Sequence, residues 1–308
     1  MNPGRGRRLD VDLDGLDDGA RVATERLERP ARPTIRRLSE HAYWVRNGGY
    51  QSTVVLGGSS ALLLDPQSGG RGLQIRDCVR EVFGYEVSTV AYSHSHRDHG
   101  DDARLMLAEN PALVLVASTL CAERLTRVAG LPPPTRVLPD GALLDFEGIP
   151  VEVRVVGGHA ADLTWYRLAD EGVLHLPDMV HPGQVEFDSF GMAPDLLDYR
   201  RALEQMAGTN WRVLTAGHGQ VGWPDDVELV MGYLDDLFAA VGEGVQLYPA
   251  AGSVRPGVHS YQWVDDRLSV VTAHAMARLA PRWASAPGYT VAAPSHIKRV
   301  FFEVAYFA

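Results

Sequence analysis

The sequence predicts a mixed α/β protein, and three observations lead there. Short β-type runs punctuated by glycine pairs fill residues 41–64, a second series of short strands fills 137–176, and segments of helical spacing lie between and after them. In the first series, residues 41–46, 52–56 and 61–64 are separated by Gly48-Gly49 and Gly57-Gly58, the spacing of a β-meander, and Asp65-Pro66 ends the third run. Residues 70–84 carry Leu73, Ile75, Val79, Val82 and Phe83 at roughly helical intervals. The apolar run 87–92 reads as a buried strand and 103–109 as a helix, with Asp101 and Asp102 at its start, where exposed N–H groups favour negative charge. Residues 113–117 form a strand, and 119–128 an amphipathic helix that ends at Gly130 before a proline-rich loop. The second strand series runs near 137 and over 142–146, 151–156, 163–168 and 173–176. Residues 194–207 read as a helix, 212–215 as a strand and 225–241 as a long helix, with Leu229, Val230, Tyr233, Leu237 and Phe238 on its period. In the tail, 265–282 is helical in pattern, and the aromatic, alternating stretch 300–307 is expected as a terminal strand.

Composition narrows the classes. A chain of 308 residues is long enough for one large α/β domain, and 45% hydrophobic with 22% charged residues is ordinary for a soluble globular protein. No apolar run approaches the roughly 18 residues that span a bilayer, so no membrane partner is expected. The formal charge of −10 disfavours a nucleic-acid partner, which needs a basic face. Cys78 and Cys121 have no paired spacing and read as free thiols. The N-terminus is basic and then Asp- and Gly-rich, without the apolar core of a signal peptide, so a cytoplasmic location is expected. Residues 1–33 read as a mobile arm, with a short helix over 21–28.

The chemistry concentrates after the strand 87–92. His94, His96, Asp98 and His99 fall within six residues on a strand-to-helix turn, and the two-residue spacing of the first three can aim them into one pocket. Imidazole and carboxylate suit a divalent ion such as zinc, and the absence of thiolates points to an open rather than a closed structural site. Three further candidates follow short apolar runs in glycine- or turn-flanked positions: His159 in Gly-Gly-His-Ala, Asp178 in Leu-Pro-Asp-Met and His218 in Ala-Gly-His-Gly. The aperiodic loop after Asp178 carries His181, Phe187 and Phe190, and loops that leave a ligand are where substrate contacts gather. His41, His175, His259, His274 and His296 lack such context and read as structural or surface residues.

An HxHxDH motif followed in order by a lone His, a lone Asp and a lone His resembles the metallo-β-lactamase superfamily over roughly residues 36–237. The resemblance implies a four-layer αββα sandwich, with 34–245 as the catalytic domain and 246–308 as an extension packed on it. It implies two zinc ions (iron or manganese as alternatives): one held by His94, His96 and His159, the other by Asp98, His99 and His218, with Asp178 bridging. Asp65 would lie beneath the metal loop. The implied activity is hydrolysis of a small ester-like molecule (ester, lactone, thioester or amide) by a water shared between the ions, with Asp98 or His181 moving the proton. Three other chemistries stay open at this point. They are a redox di-iron enzyme, disfavoured by His at positions 96 and 159; a phosphodiesterase; and a dehalogenase of an activated aromatic, for which Trp44, Trp165, Phe187 and Phe190 would line the pocket. The expected partner is a small-molecule substrate, and the apolar tail is expected to cover the pocket or a subunit contact in a homodimer.

Overall fold

A computed structural model describes residues 32–248, 257 and 259–306. The arm read over residues 1–33, with its short helix, falls outside the described residues except for its last two. The chain forms two compact units: residues up to Pro182 with Pro194–Pro224, and Gly183–Ala193 with Asp225 onward.

The first unit opens with the meander: β1 (Thr34–Arg37), β2 (Ala42–Asn47), β3 (Tyr50–Leu56) and β4 (Ala61–Leu64), each antiparallel to the last. From β4 the chain changes manner, because the next strands run parallel and a parallel step needs a crossover. Helix α1 (Arg71–Phe83) leads to β5 (Val87–Ala91), the turn α2 (Arg97–Gly100) and helix α3 (Ala103–Glu109) to β6 (Val114–Ser118), and α4 (Thr119–Leu125) to β7 (Arg136–Leu138). The result is a seven-stranded sheet in sequential order. Asp102 starts α3 but caps another helix: its two oxygens accept the Gly70 and Gly72 N–H groups at the beginning of α1, at 3.0 and 2.9 Å. The acidic residue thus meets the helix N-terminus that packs against it rather than its own.

The second sheet holds β8 (Leu143–Phe146), β9 (Ile149–Val155), β10 (Thr164–Leu168), β11 (Val173–His175), β12 (Val213–Thr215) and β13 (Val221–Gly222), antiparallel except where β11 meets β12. Between β11 and β12 come the short turn α5 (Ser189–Met192) and helix α6 (Leu196–Ala207), whose N-cap Asp195 accepts the Leu197 and Asp198 N–H groups. One apolar core joins the facing sides of the sheets, Trp44, Val55, Leu62 and Leu64 from the first with Val151, Val153, Tyr166 and Val173 from the second. A separate core on the outer side of the first sheet takes Ile75, Val79, Met106, Cys121 and Leu125 from its helices. Helix α6 lies by the ends of β9 and β11, with the Tyr199 hydroxyl donating to Met179 O at 2.7 Å. The mixed α/β sandwich of two sheets flanked by helices is the class expected from the sequence. Trp44 and Trp165 are buried, only 2% exposed each, so packing, not a substrate pocket, explains these two aromatics. Cys78 and Cys121 are free thiols.

The second unit is helical, with α7 (Pro224–Leu247), α8 (Ser260–Trp283) and α9 (Tyr289–Tyr306) joined by α5. The strand expected over 300–307 is instead the last part of α9, as far as it is described. Ala293, Ile297, Val300 and Phe301 are all buried, a spacing of three and four that alternation over so short a window conceals. The turn α5 is left-handed: Ser189, Phe190, Gly191 and Met192 all have φ between +51° and +61°. Side chains of α9 hold it, with Ser295 Oγ accepting the Ser189 N–H at 2.9 Å and the His296 ring stacked 4.2 Å from Phe190. Among the described residues no helix is long and apolar enough to cross a membrane.

The β8–β9 hairpin turns on two residues of positive φ, Glu147 (+50°) and Gly148 (+87°), the conformation that matches strand twist. A non-glycine residue is held there because its carboxylate accepts four hydrogen bonds from the β3–β4 turn, from the N–H and hydroxyl of Ser59 (2.7 and 2.9 Å) and of Ser60 (3.3 and 2.6 Å). These bonds, the Ser60 hydroxyl's first, hold the Glu147 carboxyl down at about 2, below its ordinary value of 4.5. A depressed carboxyl contributes stability above its unfolded value and loses it as pH falls through the folded one. Glu147→Gln should therefore lower stability at pH 7 by under about 1 kcal/mol for so exposed a group, read as a lower melting temperature, and the gap to wild type should close in melts taken from pH 4.5 down toward 2.

Candidate metal centre

Four strand ends deliver the site. Past β5 the chain runs extended through Tyr92 to His96 and then coils into α2, so His94 and His96 alternate along an extended segment while Asp98 and His99 project from a helical turn. Two buried carboxylates pin this loop: Asp65, at the end of β4, accepts the Ser93 N–H at 2.8 Å, and Asp162, before β10, accepts the Ser95 N–H at 2.8 Å. His159 follows β9, Asp178 follows β11 and His218 follows β12. Glycine is required beside both lone histidines. A Cβ on Gly158 (φ +85°) would stand 2.5 Å from Met179 Sδ, and one on Gly217 (φ +82°) would stand 2.7 Å from Asp178 Oδ1 and 2.9 Å from His99 Cε1. Asp178 itself adopts φ +63°, strain of the kind that collects at functional sites. The His218 loop is tied to the β2–β3 turn, where Gln51 N donates to Gly217 O at 2.8 Å and Gln51 Nε2 to His218 O at 2.5 Å.

All seven residues singled out in the sequence converge. His94, His96, His159 and Asp178 offer donor atoms within 4.8 Å of one another, and so do Asp98, His99, Asp178 and His218. A tetrahedral ion with bonds of about 2.0–2.1 Å sets its ligands about 3.3 Å apart. In the first group His96 Nδ1 and His159 Nε2 lie 3.0 Å apart, and Asp178 Oδ2 lies 3.5 Å from His159 Nε2 and 3.7 Å from His94 Nε2. In the second, His99 Nε2 and His218 Nε2 are separated by 3.3 Å, Asp98 Oδ2 lies 3.6 Å from each, and Asp178 Oδ1 lies 3.4 Å from His218 Nε2. His94 Nε2 and Asp178 Oδ1 are buried with no hydrogen-bond partner among the described residues. Orphaned acceptors at ligand spacing fit divalent cations.

The supporting hydrogen bonds fix which nitrogens face the groups. His94 Nδ1 lies 2.8 Å from Ser93 Oγ, whose hydroxyl donates to Asp65 Oδ2 at 2.7 Å, so the His94 proton sits on Nδ1 and Nε2 presents a lone pair. Asp65 Oδ2 also stands 3.4 Å from His99 Nδ1 and 3.2 Å from His175 Nε2. Burial alone would raise the Asp65 carboxyl, but His175 and His99 outweigh it and hold the group far below the carboxylate range. Burial, then the charge of His99, pushes His94 well below the usual imidazole value, which keeps it neutral. Burial would lower His99 as well, but Asp178 and Asp65 outweigh it and raise the imidazole well above its ordinary value. For Asp98, the hydrogen bond of His218 and the charge of His99 overcome burial and bring the carboxyl to about 2.

His181 stacks beside His218, ring centroids 5.9 Å apart. Two supports, Asp162 and Gln51, went unread in the sequence, and a third, His175, reads there only as a structural or surface residue. Asp162 lies three residues past His159, and a charged residue entering an apolar strand was its signal. His175 joins the Asp65 network from the middle of the sandwich, with Nδ1 2.9 Å from Thr215 Oγ1 and 3.1 Å from Thr53 Oγ1. Gln51 carried no local signal, because its partners are 167 and 169 residues away.

Two sheets with paired imidazole–carboxylate groups at their strand ends define an α/β protein with a candidate site for two cations. The family model of the metallo-beta-lactamase superfamily matches residues 46–239, and the chain belongs to that superfamily. It is 29% identical over 204 residues to the lactamase-like protein aptB of Emericella nidulans, an alignment covering 65% of this chain and 59% of that protein. The chain thus spans about three fifths of that relative's length. Among solved structures, a metallo-beta-lactamase from Pontibacter korlensis matches with a TM-score of 0.59 at 16% identity, over 66% of this chain and 99% of its own. The metallo-beta-lactamase FIM-1 from Pseudomonas aeruginosa in its mono-zinc form matches with 0.57 at 15%, over 67% and 96%. At such identities these likenesses establish the fold.

Two substitutions probe the scaffold. Asp65→Asn should weaken divalent-cation binding about 10–100-fold, the usual effect of losing a residue that orients a ligand, read by isothermal titration. Gly217→Ala should lower the divalent-metal content of purified protein relative to wild type, read by elemental analysis, because its methyl group enters the space of Asp178 and His99.

Proposed function

We propose that the chain is a zinc-dependent hydrolase of a small ester-like substrate (ester, lactone, thioester or amide). The observation that carries this reading is the pair of donor groups that share Asp178. Bound there, two divalent cations would supply an acidified water and an electrophilic pull on a carbonyl oxygen. His94, His96 and His159 would hold one, Asp98, His99 and His218 the other, and Asp178 would face both. Imidazole and carboxylate donors without thiolate support zinc, as does the mono-zinc form of a structural relative.

The chain's own residues would manage the proton. Asp98, with 41% of its side chain exposed and its carboxyl kept ionised, would accept a proton from the attacking water. His181, stacked on His218, would pass a proton to the leaving group. Asp65 would keep His94 and His99 presenting Nε2 throughout.

Wild-type protein loaded with zinc should hydrolyse activated aryl esters. Asp178→Ala and His96→Ala should each lower kcat/KM by more than about 100-fold, beyond the cost of losing a supporting residue, and elemental analysis should show the bound zinc reduced. Full turnover by either variant would overturn the mechanism.

A further inference from the structure

Arg71, the first residue of α1, differs from the other arginines of that helix. Arg76 pairs with Asp77 and Glu109, and Arg80 with Glu86. Arg71 forms no ion pair with a described carboxylate. It donates through Nη1 to Ser68 O at 2.8 Å, and its Nε–H is buried without a protein acceptor. Its guanidinium carbon lies over the Tyr50 ring, 4.4 Å from the centroid, and the Tyr50 ring in turn lies 4.5 Å from the His218 ring and 6.1 Å from that of His99. Tyr50 is the first residue of β3 and bridges to His218 through the backbone, so the Tyr50 ring beneath Arg71 is held beside His218.

Stacking occupies the face of a guanidinium and leaves its N–H edge free for an acceptor. An arginine so fixed loses little freedom on binding. In a chain of net charge −10, a cation without an ion pair among the described residues and near the candidate centre is also the local feature that would draw an anion to it.

We propose that Arg71, seated on the Tyr50 ring, is the anion-recognition residue of this site, and that the substrate carries a carboxylate or similar anionic oxygen group on the side of the β2–β3 turn. This rests on the hydrolase reading above for the bond that is broken, but not for the recognition itself. The hydrolysed carbonyl lies toward His94, His96 and His159, and the anionic group toward Arg71.

The test compares glutarate with butyrate, which lacks the second carboxylate, by isothermal titration into zinc-loaded full-length protein. Wild type should bind glutarate at least about tenfold more tightly, the worth of one charge-assisted hydrogen bond. Arg71→Gln should erase that preference, Arg71→Lys should keep part of it, Tyr50→Phe should retain it, and Tyr50→Ala should lose it. The kcat/KM ratio of mono-4-nitrophenyl glutarate to 4-nitrophenyl butyrate should follow the same order. A preference that survives Arg71→Gln, or its absence in wild type, overturns the proposal. If neither ester is turned over, the hydrolase reading fails while the binding comparison still decides the role of Arg71.

Discussion

A single buried carboxylate governs the arrangement around the candidate centre. Asp65 is wholly removed from solvent, and an ionised group in such a place is tolerated only when its oxygens are fully engaged. It engages Ser93 by backbone and hydroxyl, His99 and His175, which come from the β5 loop, the turn α2 and β11. Meeting the needs of Asp65 sets the rotation of two candidate ligand rings and ties the first sheet to the second. A neutral or smaller residue there would leave the same backbone with imidazoles free to turn.

The two sheets explain why donors from distant parts of the chain meet. Strands β4 and β5 belong to one sheet and β9, β11 and β12 to the other, and the loops at their ends open at one rim. The interior is apolar, with Leu62, Leu64, Val151 and Val153 filling it, so polar chemistry is displaced to that rim. Glycine at 158 and 217 lets the backbone come close enough for the rings of His159 and His218 to arrive.

Much of this was legible along the chain, for reasons of spacing. Strands β2 to β5 show period and punctuation, and the seven candidate ligands sit after apolar runs in turn-flanked positions, where chemistry has few other uses for His and Asp. Alternation misled at 300–307, because adjacent aromatics satisfy both periods and only packing on neighbours selects the helix. Asp102 was placed at a helix start correctly, but the helix it serves is α1, 30 residues earlier. The roles of Gln51, His175 and Arg71 lie in contacts across the fold that no local pattern encodes, whereas Asp162 left a signal as a charged residue entering an apolar strand.

Asp178 offers Oδ2 to the histidines of the first group and to His99, and Oδ1 to His218. One rotamer therefore faces both neighbourhoods, and a cation held by either group would fix how that carboxylate meets one held by the other. Uptake at the two would be linked in the thermodynamic sense: pre-orientation would favour the second arrival while like charge would oppose it. Were both groups filled, the metal content at limiting supply would follow one coupled equilibrium and not two independent dissociation constants.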